Sequence, residues 1–288
     1  MAREACEARE HPPGTRSLQR ASRREELWPR EAKLHLMDPT KPNVGRIYDY
    51  VLGGEHNLEI DREVARQIIK VFPPYPRWAR LNRDFLQAVA RRWAVGGRAH
   101  VLDLGSGMPT RGHFHSVMPT ARVLYSDHDP VTVKYARELI GNNPAVVYIE
   151  ADLREPEQLL SAAEQHFRGD REVAIGCIGV AYLIDDASLE HTLRALHDWA
   201  APGSVLALSQ AALGERAERV HQMMDLLKSG GTELFSRDEA ALRRIAAPWE
   251  VLELAPLESW PGVKSQLQEA DHEYASVTMY GAYLVRPF

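Results

Sequence analysis

The stretch that decides the fold reads VLDLGSGMP and runs from Val101 to Pro109. It begins with residues that favour a strand, and two glycines one residue apart, Gly105 and Gly107, follow directly. A helix-like segment comes after the proline. A strand, a tight glycine turn and a helix start make up half of a nucleotide-binding βαβ unit, in which a Cβ at the turn would block the ligand. The stretch therefore predicts a doubly wound α/β sheet with a ligand at this turn.

The next apolar run indicates which nucleotide binds. It covers residues 121–125 and leads to Asp127, twenty residues after Gly107, where an acid accepts hydrogen bonds from ribose hydroxyls. The dinucleotide fingerprint needs a third glycine, but position 110 is Thr. The Asp-x-Gly-x-Gly pattern that begins at Asp103 is instead the form found in class I methyltransferases that use S-adenosylmethionine (SAM). We therefore expect SAM as the cofactor, in preference to NAD or FAD.

Polar residues near the ends of three successive strands give the candidate cofactor contacts. Asp103 is expected to orient the glycine turn or to meet the SAM ammonium, with a bond to backbone amides as the alternative. Asp152 is expected to accept from the adenine amino group while Leu153 packs on the ring, and a helix cap is the alternative for Asp152. The predicted cofactor-binding set comprises Asp103, Gly105, Ser106, Gly107, Asp127, His128, Asp152 and Leu153.

The acceptor side carries weaker signals. Methyl acceptors usually bind beyond the fourth strand, which ends here in the run GVAY at 179–182, and no Asn/Asp-Pro-Pro-Tyr sequence is present. Histidine titrates near neutral pH, so His115 is the candidate general base, and a pocket wall or surface position is the alternative for it and for His113 and His128. A base is optional, because the SAM sulfonium is already a good leaving group. The residues expected to form the lid and the acceptor site are Tyr48, Tyr50, His56, Asn57 and Tyr182.

Residues 39–96 are predicted to form an N-terminal helical cap or lid. One helix is expected from Asp61, as its N-cap, to Lys70, and the prolines at 73–76 end it. A second helix is expected at 77–94. The segment 42–62 shows no clean period and is interpreted as part of the lid.

Residues 97–288 are predicted to form the SAM-binding domain, a Rossmann-like sheet of the class I methyltransferase type. Asp129 is expected to cap one of its helices, with Pro130 as the first helical residue, and Ser236 and Glu239 are expected to form a capping box on another. A C-terminal β-hairpin closes the chain. The expected strands are 99–104, 121–126, 145–149, 172–178, 204–208, 249–254 and 277–285. The expected helices are 110–117, 156–167, 187–200, 214–228 and 237–246, and a further helix is expected after Asp129-Pro130, with Val131, Tyr135 and Leu139 on one side.

The first 38 residues differ in composition from the rest of the chain. They are rich in Arg and Glu and lack apolar periodicity, so burial cannot offset the entropy of ordering them. A disordered tail is the expectation, and a basic arm for RNA or a partner is the alternative. Met37 offers a natural start, which would make residues 1–36 an upstream extension.

Composition excludes several other classes of protein. The net charge of −5 gives no bulk signal for nucleic-acid binding. Two cysteines, Cys6 and Cys177, supply neither a disulfide framework nor a metal cluster. No apolar run approaches the roughly 18 residues of a membrane span, and no signal-peptide core is present. We expect a soluble cytoplasmic protein that acts on a small molecule and binds no metal. Its oligomeric state is open, with a homodimer as one option.

The run PNVGRIYDYVLGG, from Pro42 to Gly54, resembles the opening signature of a known family, together with Asn57 and Asp61-Arg62. This is the actinobacterial-type S-adenosyl methyltransferase family once classed as a domain of unknown function. The resemblance covers residues 40–285 and includes Asn82-Arg83-x-Phe85, Leu102 to Thr110, Asp127 to Pro130, Ala151 to Arg154 and Tyr280-Gly281. It implies a class I fold, SAM binding and cofactor contacts at Gly105, Gly107, Asp127 and Asp152.

The chain departs from the family pattern at two places. The run GHFH at 112–115 stands where the family usually has Gly-Asn-x-His, and Ala181 stands where a His usually precedes the aromatic residue. The leading hypothesis is a SAM-dependent methyltransferase with a small-molecule acceptor. A non-catalytic SAM- or SAH-binding sensor or interaction protein is the alternative, since the acceptor side is less well matched, and a nicotinamide-dependent oxidoreductase is a third, weaker hypothesis.

Overall fold

The computed structural model of the chain describes residues 40–108, 112–214, 218–229 and 231–288. Within these ranges seven strands form one sheet: β1 (His100–Asp103), β2 (Arg122–Asp127), β3 (Val146–Glu150), β4 (Ala174–Cys177), β5 (Val205–Leu213), β6 (Glu250–Pro256) and β7 (Val277–Val285). The helices in the same ranges are α1 (Val44–Val51), α2 (Glu59–Val71), α3 (Tyr75–Val95), α4 (Phe114–Val117), α5 (Pro130–Ile140), α6 (Pro156–His166), α7 (Asp186–Trp199), α8 (Glu218–Ser229), α9 (Glu239–Ala246) and α10 (Glu269–Ala275).

The strand order is β3-β2-β1-β4-β5-β7-β6. Strands β1 to β5 are parallel, while β7 runs antiparallel between β5 and β6. In chain order, β2 pairs with one side of β1 and β3 pairs with β2, whereas β4 pairs with the other side of β1. The strand order therefore reverses between β1 and β4, which is where open α/β sheets bind their ligands.

Side-chain alternation along the strands divides the core between the two faces of the sheet. On β1, Val101 belongs to a cluster that contains residues of α2 and α3, whereas Leu102 points to the opposite face and packs with residues of α6 and α7. Because helices cover both faces, β1 and β4 are almost wholly buried, which explains their short apolar sequences.

The sequence-based fold class is confirmed, including the C-terminal hairpin of β6 and β7, and several boundaries are corrected. The segment 42–62, which has no clean apolar period, contains α1. Helix α2 begins at Glu59 with Leu58 as its N-cap, so the assignment of Asp61 as N-cap is wrong. Asp61 is the third residue of α2, and its Oδ2 accepts a hydrogen bond from the Leu58 N–H at 2.8 Å. The carboxylate is fully buried because it also pairs with Arg46 of α1.

Two further helix starts differ from their predictions. Asp238, not Ser236, caps α9 and accepts a hydrogen bond from the Ala241 N–H. Ser236 instead accepts a hydrogen bond from the Leu213 N–H, because β5 extends five residues beyond its predicted end. The helix predicted at 110–117 is shorter within the described residues, where it is the single turn α4.

Some predictions lie outside the described residues. These are the tail or upstream extension at 1–38 and the residues Pro109 and Thr110 of the glycine motif.

Candidate functional site

A large cavity opens at the end of the sheet where the strand order reverses. Its walls come from the loops after β1, β2 and β4, from the lid helices α1 to α3, and from α8. The carboxyl ends of parallel strands meet at this edge, so side chains distant in sequence converge there.

The glycine turn after β1 forms one wall of the cavity. Gly105 and Gly107 both have left-handed φ angles, 56° and 61°. A Cβ on Gly105 would lie 2.4 Å from Cγ2 of Val180, whereas a Cβ on Gly107 would meet no atom within 4 Å. Packing therefore requires glycine at 105, and the turn leaves open space at 107 for a ligand to approach the backbone.

Asp127, at the end of β2, holds this turn in place. Its Oδ2 accepts a hydrogen bond from the Gly107 N–H at 2.9 Å, and its Oδ1 accepts one from the Asp129 N–H at 3.0 Å. Burial raises the pKa of Asp127 above its ordinary value, although these two N–H donors oppose the rise. Each carboxylate oxygen keeps further acceptor capacity, as a ribose diol would need.

The start of α1 lies over the same turn. A Cβ on Gly45 would come within 3.8 Å of the Gly107 Cα, and the Asn43 Nδ2 donates a hydrogen bond to the Asp129 Oδ2 at 2.9 Å. The Asn43 N–H also donates to Asp61, which pairs with Arg46. Through Asn43, the family-like run at 42–54 thus connects the lid to the loop that follows β2.

Asp49 of α1 is buried at the cavity wall. Its Oδ2 accepts hydrogen bonds from the His56 N–H at 2.7 Å and from the Asn57 Nδ2 at 2.8 Å. Its Oδ1 has no partner among the described residues. Burial raises the pKa of Asp49, and the hydrogen bond from Asn57 lowers it. A buried carboxylate oxygen without a donor is suited to bind a cationic group of a ligand.

Arg83 of α3 brings the opposite charge to the same cavity. Its Nη1 is buried and has no partner among the described residues, and its guanidinium lies 5.8 Å from the centre of the Tyr48 ring. Burial raises the pKa of nearby Asp103 to about 7, although the Arg83 charge opposes the rise. Asp49 and Arg83 therefore bring opposite charges to one cavity.

Two histidines follow the glycine turn, and only His113 lines the cavity. Its Nε2 lies 2.9 Å from the Met108 carbonyl oxygen, which only accepts hydrogen bonds, so Nε2 carries the proton. Its Nδ1 therefore has a free lone pair, and no described residue donates to it. Burial lowers the pKa of His113 well below its ordinary value, so the ring is neutral at pH 7. His115 does not line the cavity, and its Nδ1 lies 2.8 Å from the Tyr125 hydroxyl.

Asp152 and Leu153, predicted to hold adenine, do not line the cavity. Both carboxylate oxygens of Asp152 accept hydrogen bonds from the Arg154 side chain, which lowers the pKa of Asp152. Leu153 is buried, and its carbonyl oxygen accepts a hydrogen bond from Thr192. Their role as adenine contacts stays a prediction.

Away from the glycine turn the lining of the cavity is mostly apolar, and we call this part the aromatic chamber. Its aromatic walls come from the lid and from the loop after β4, and its aliphatic and thioether walls come from β5, α8 and β7. The chamber is lined by Tyr48, Phe72, Tyr75, Trp78, Ala79, Asn82, Leu86, Ile178, Gly179, Val180, Tyr182, Leu183, Ala211, Leu213, Val220, Met223, Met224, Leu227, Leu234, Phe235, Ser236, Val277 and Met279.

This geometry agrees with the comparisons to known proteins. The family model for S-adenosyl methyltransferases matches residues 30–283. The chain belongs to the S-adenosyl methyltransferase family.

Two solved structures share the fold of this family member along most of its length. A candidate methyltransferase from Thermobifida fusca is 25% identical, with a TM-score of 0.77, and the match covers 91% of this chain and 100% of that one. A DUF574-family protein from Streptomyces avermitilis is 26% identical, with a TM-score of 0.74, and the match covers 87% and 99% of the two chains. No curated protein matches the chain. The family and fold identify SAM as the cofactor, as expected from the sequence.

The structure brings part of the predicted site together. Of the predicted residues, the cavity is lined by Tyr48, Gly105, Ser106, Gly107, Asp127, His128 and Tyr182. The remaining ones do not line it: Tyr50, His56, Asn57, Asp103, His115, Asp152 and Leu153. His56 and Asn57 both donate hydrogen bonds to the carboxylate of Asp49, which does line the cavity. The Asp103 carbonyl oxygen accepts a hydrogen bond from the Ser106 hydroxyl.

Sequence reasoning missed other residues of the cavity. Asn43, Asp49, Asn82 and Arg83 all stand in the family-like runs, but those runs assigned no role to them. Trp260 is buried and packs edge-to-face on Phe85. No helix within the described ranges combines the length and apolar character needed to cross a bilayer.

Proposed function

We propose that this chain transfers the methyl group of SAM to a small organic molecule that binds in the aromatic chamber. One observation carries the proposal: a single cavity is continuous from the glycine turn and Asp127 to the aromatic chamber. A methyl donor at the turn and an acceptor in the chamber would therefore share one enclosed space. Small-molecule sites are commonly concave, apolar and furnished with a few polar groups, as this cavity is.

Each residue of the cofactor half then has a defined role. Asp127 accepts hydrogen bonds from the ribose hydroxyls, Asp49 binds the ammonium, and Arg83 binds the carboxylate. SAM supplies a methyl group on a positively charged sulfur, which leaves readily. The protein contributes alignment of the acceptor with the methyl carbon and exclusion of water, so a residue acting as a base is not required.

The first test is calorimetric titration of the protein with SAM and SAH, with NAD as a competitor. Asp127→Asn removes the charge that the ribose hydroxyls meet, and a hydrogen bond to a charged group is worth about 1.5–3 kcal/mol. We expect SAM and SAH affinity to fall roughly 10- to 100-fold. Asp198→Asn, a change at an exposed carboxylate on α7, is the matched control and leaves the affinity unchanged.

The same titration decides the adenine contact. Asp152→Asn should leave SAM affinity unchanged if the Asp152 carboxylate stays paired with Arg154 when SAM binds. The same change should lower SAM affinity if that carboxylate turns to accept from the adenine amino group. Absence of SAM and SAH binding to the unaltered protein would contradict the proposed function. Formation of SAH from SAM with any acceptor would exclude the purely non-catalytic alternative.

A further inference from the structure

The aromatic chamber contains no charged side chain among its described residues. The ionisable Asp, Arg and His residues of the cavity stand outside the set that defines the chamber: Asp49, Arg83, His113, Asp127, His128 and Asp129. Arg83 borders the chamber, with its guanidinium 5.8 Å from the centre of the Tyr48 ring, and the proposed function assigns its charge to the carboxylate of SAM. A charged acceptor in the chamber would therefore lose its hydration without gaining a partner, at a high cost in free energy. Six aromatic side chains and three methionines instead favour a flat, uncharged molecule.

One polar side chain in the chamber is buried and only partly used. Asn82 of α3 is 4% exposed, and its Oδ1 has no hydrogen-bond partner among the described residues. The Tyr48 hydroxyl donates to the Ala79 carbonyl at 2.9 Å, so it only accepts from Asn82, and the atom of Asn82 that faces Tyr48 is Nδ2. A Cβ on Gly179 would also lie 2.9 Å from this Nδ2. Asn82 Oδ1 is therefore left as an acceptor for a ligand's N–H or O–H.

The described chamber residues offer no group that takes a proton at neutral pH. Burial raises the pKa of Tyr182 well above its ordinary value, and it raises that of Tyr75 as well, so both phenols stay protonated. The Tyr48 hydroxyl donates a hydrogen bond to the Ala79 carbonyl oxygen. His113 has a free Nδ1 lone pair in the same cavity, but burial lowers its pKa well below its ordinary value, which makes the ring a weak base. A neutral hydroxyl acceptor would need a stronger base to become a good nucleophile, whereas an uncharged amine already has a reactive lone pair.

On the basis of the proposed methyl transfer, we propose that the methyl acceptor is an uncharged, flat aromatic molecule with a nucleophilic nitrogen. The N–H of this nitrogen donates a hydrogen bond to the Asn82 Oδ1. The nitrogen lone pair forms the new bond to the methyl carbon, while the carbon–sulfur bond breaks and its electron pair stays on sulfur. The nitrogen then carries the positive charge and releases one proton to water. Asn82 orients the nitrogen and takes no proton.

Four matched probes test the acceptor class on the SAH-bound protein by calorimetry: 1-naphthylamine, 1-methylnaphthalene, 1-naphthol and 1-naphthoate. The amine and the methyl compound have nearly the same shape and differ in the N–H. We expect 1-naphthylamine to bind about 2- to 10-fold more tightly than 1-methylnaphthalene, the effect of one neutral hydrogen bond. We expect 1-naphthoate to show no measurable binding, because its charge is unpaired in the chamber.

Asn82→Leu keeps the approximate shape of the side chain and removes the amide. It should abolish the preference for 1-naphthylamine over 1-methylnaphthalene and leave SAH affinity unchanged, which also shows that the variant is folded. Asn142→Leu makes the same substitution at an exposed site and should retain the preference. With SAM present, 1-naphthylamine should give SAH at least tenfold faster than 1-naphthol at pH 7.

The outcomes separate this inference from the proposed function. Tight binding of 1-naphthoate, binding of none of the probes, or an unchanged preference in Asn82→Leu overturns the acceptor class while SAH still binds. Binding of 1-naphthylamine without SAH formation, or faster methylation of 1-naphthol, overturns the assignment to nitrogen. If SAH itself does not bind, the proposed function fails.

Discussion

Two adjacent glycines in the lid are required for different reasons. Gly53 has a φ of +81° and open space where a Cβ would stand, so only its backbone conformation calls for glycine. Gly54 has no such φ, but a Cβ there would lie 2.1 Å from the Asp49 Oδ1. The carboxylate of Asp49 occupies the space that a side chain at 54 would need, and that carboxylate faces the cofactor half of the cavity.

The two glycines therefore give different expected results when each is changed to Ala. Gly54→Ala displaces the Asp49 carboxylate and should lower SAM affinity about tenfold or more, since a hydrogen bond to a charged group is worth about 1.5–3 kcal/mol. Gly53→Ala should reduce the free energy of unfolding by about 1–2 kcal/mol through backbone strain alone. Calorimetry with SAM and urea unfolding of both variants check this pair. Equal SAM affinity in the two variants would argue against a cofactor role for Asp49.

Helices α5 and α7 both begin with an aspartate N-cap, yet only one of them is tied to the lid. Asp129 accepts hydrogen bonds from the backbone N–H groups of Val131 and Thr132, and its Oδ2 also accepts from Asn43. Asp185 caps α7 through the Ser188 N–H. A local capping residue of α5 thus also fixes the start of α1 over the glycine turn.

Removing each cap should separate the local from the long-range effect. Asp129→Ala and Asp185→Ala should each lower the free energy of unfolding by about 1 kcal/mol, the usual value of an N-cap. Only Asp129→Ala should also weaken SAM binding, because it frees the start of α1. Urea unfolding and SAM titration measure the two effects. A similar loss of SAM affinity in Asp185→Ala would mean that the lid contact is irrelevant.

Over the whole described chain, the lid helices share a hydrophobic core with the sheet. Trp93 of α3 stacks on Phe114 with ring centres 5.1 Å apart, and Phe85 packs closely against Gly281 of β7. These residues belong to one continuous buried cluster that also contains Val101 of β1. Removing α3 would expose this face of the sheet to water.

We therefore expect residues 40–288 to unfold in one cooperative transition. Scanning calorimetry should give one peak with equal calorimetric and van't Hoff enthalpies. SAH at about 100 times its dissociation constant should stabilise the whole unit by roughly 2.7 kcal/mol. Two separate transitions, with SAH shifting only one of them, would instead support the prediction that 39–96 and 97–288 are distinct domains.

The sequence by itself determined the fold class, the cofactor and the glycine turn after the first strand. The spacing from Gly105 and Gly107 to Asp127 is a property of one βαβ unit, in which the connection between parallel strands is short and follows a fixed handedness. Such local rules need no knowledge of distant residues. The cap at Asp129 was predictable for the same reason.

Only the tertiary structure decided which polar side chains line the cavity and which ones hold other residues. Asp61 pairs with Arg46, Asp152 pairs with Arg154, and His113 rather than His115 reaches the cavity. Asn82 and Gly179 meet although nearly a hundred positions separate them in the chain. Hydrophobic periodicity predicts which face of an element is buried, but it does not distinguish a face that packs on the core from one that lines a cavity. That difference depends on how the lid helices and α8 meet over the sheet edge, which the folded chain alone determines.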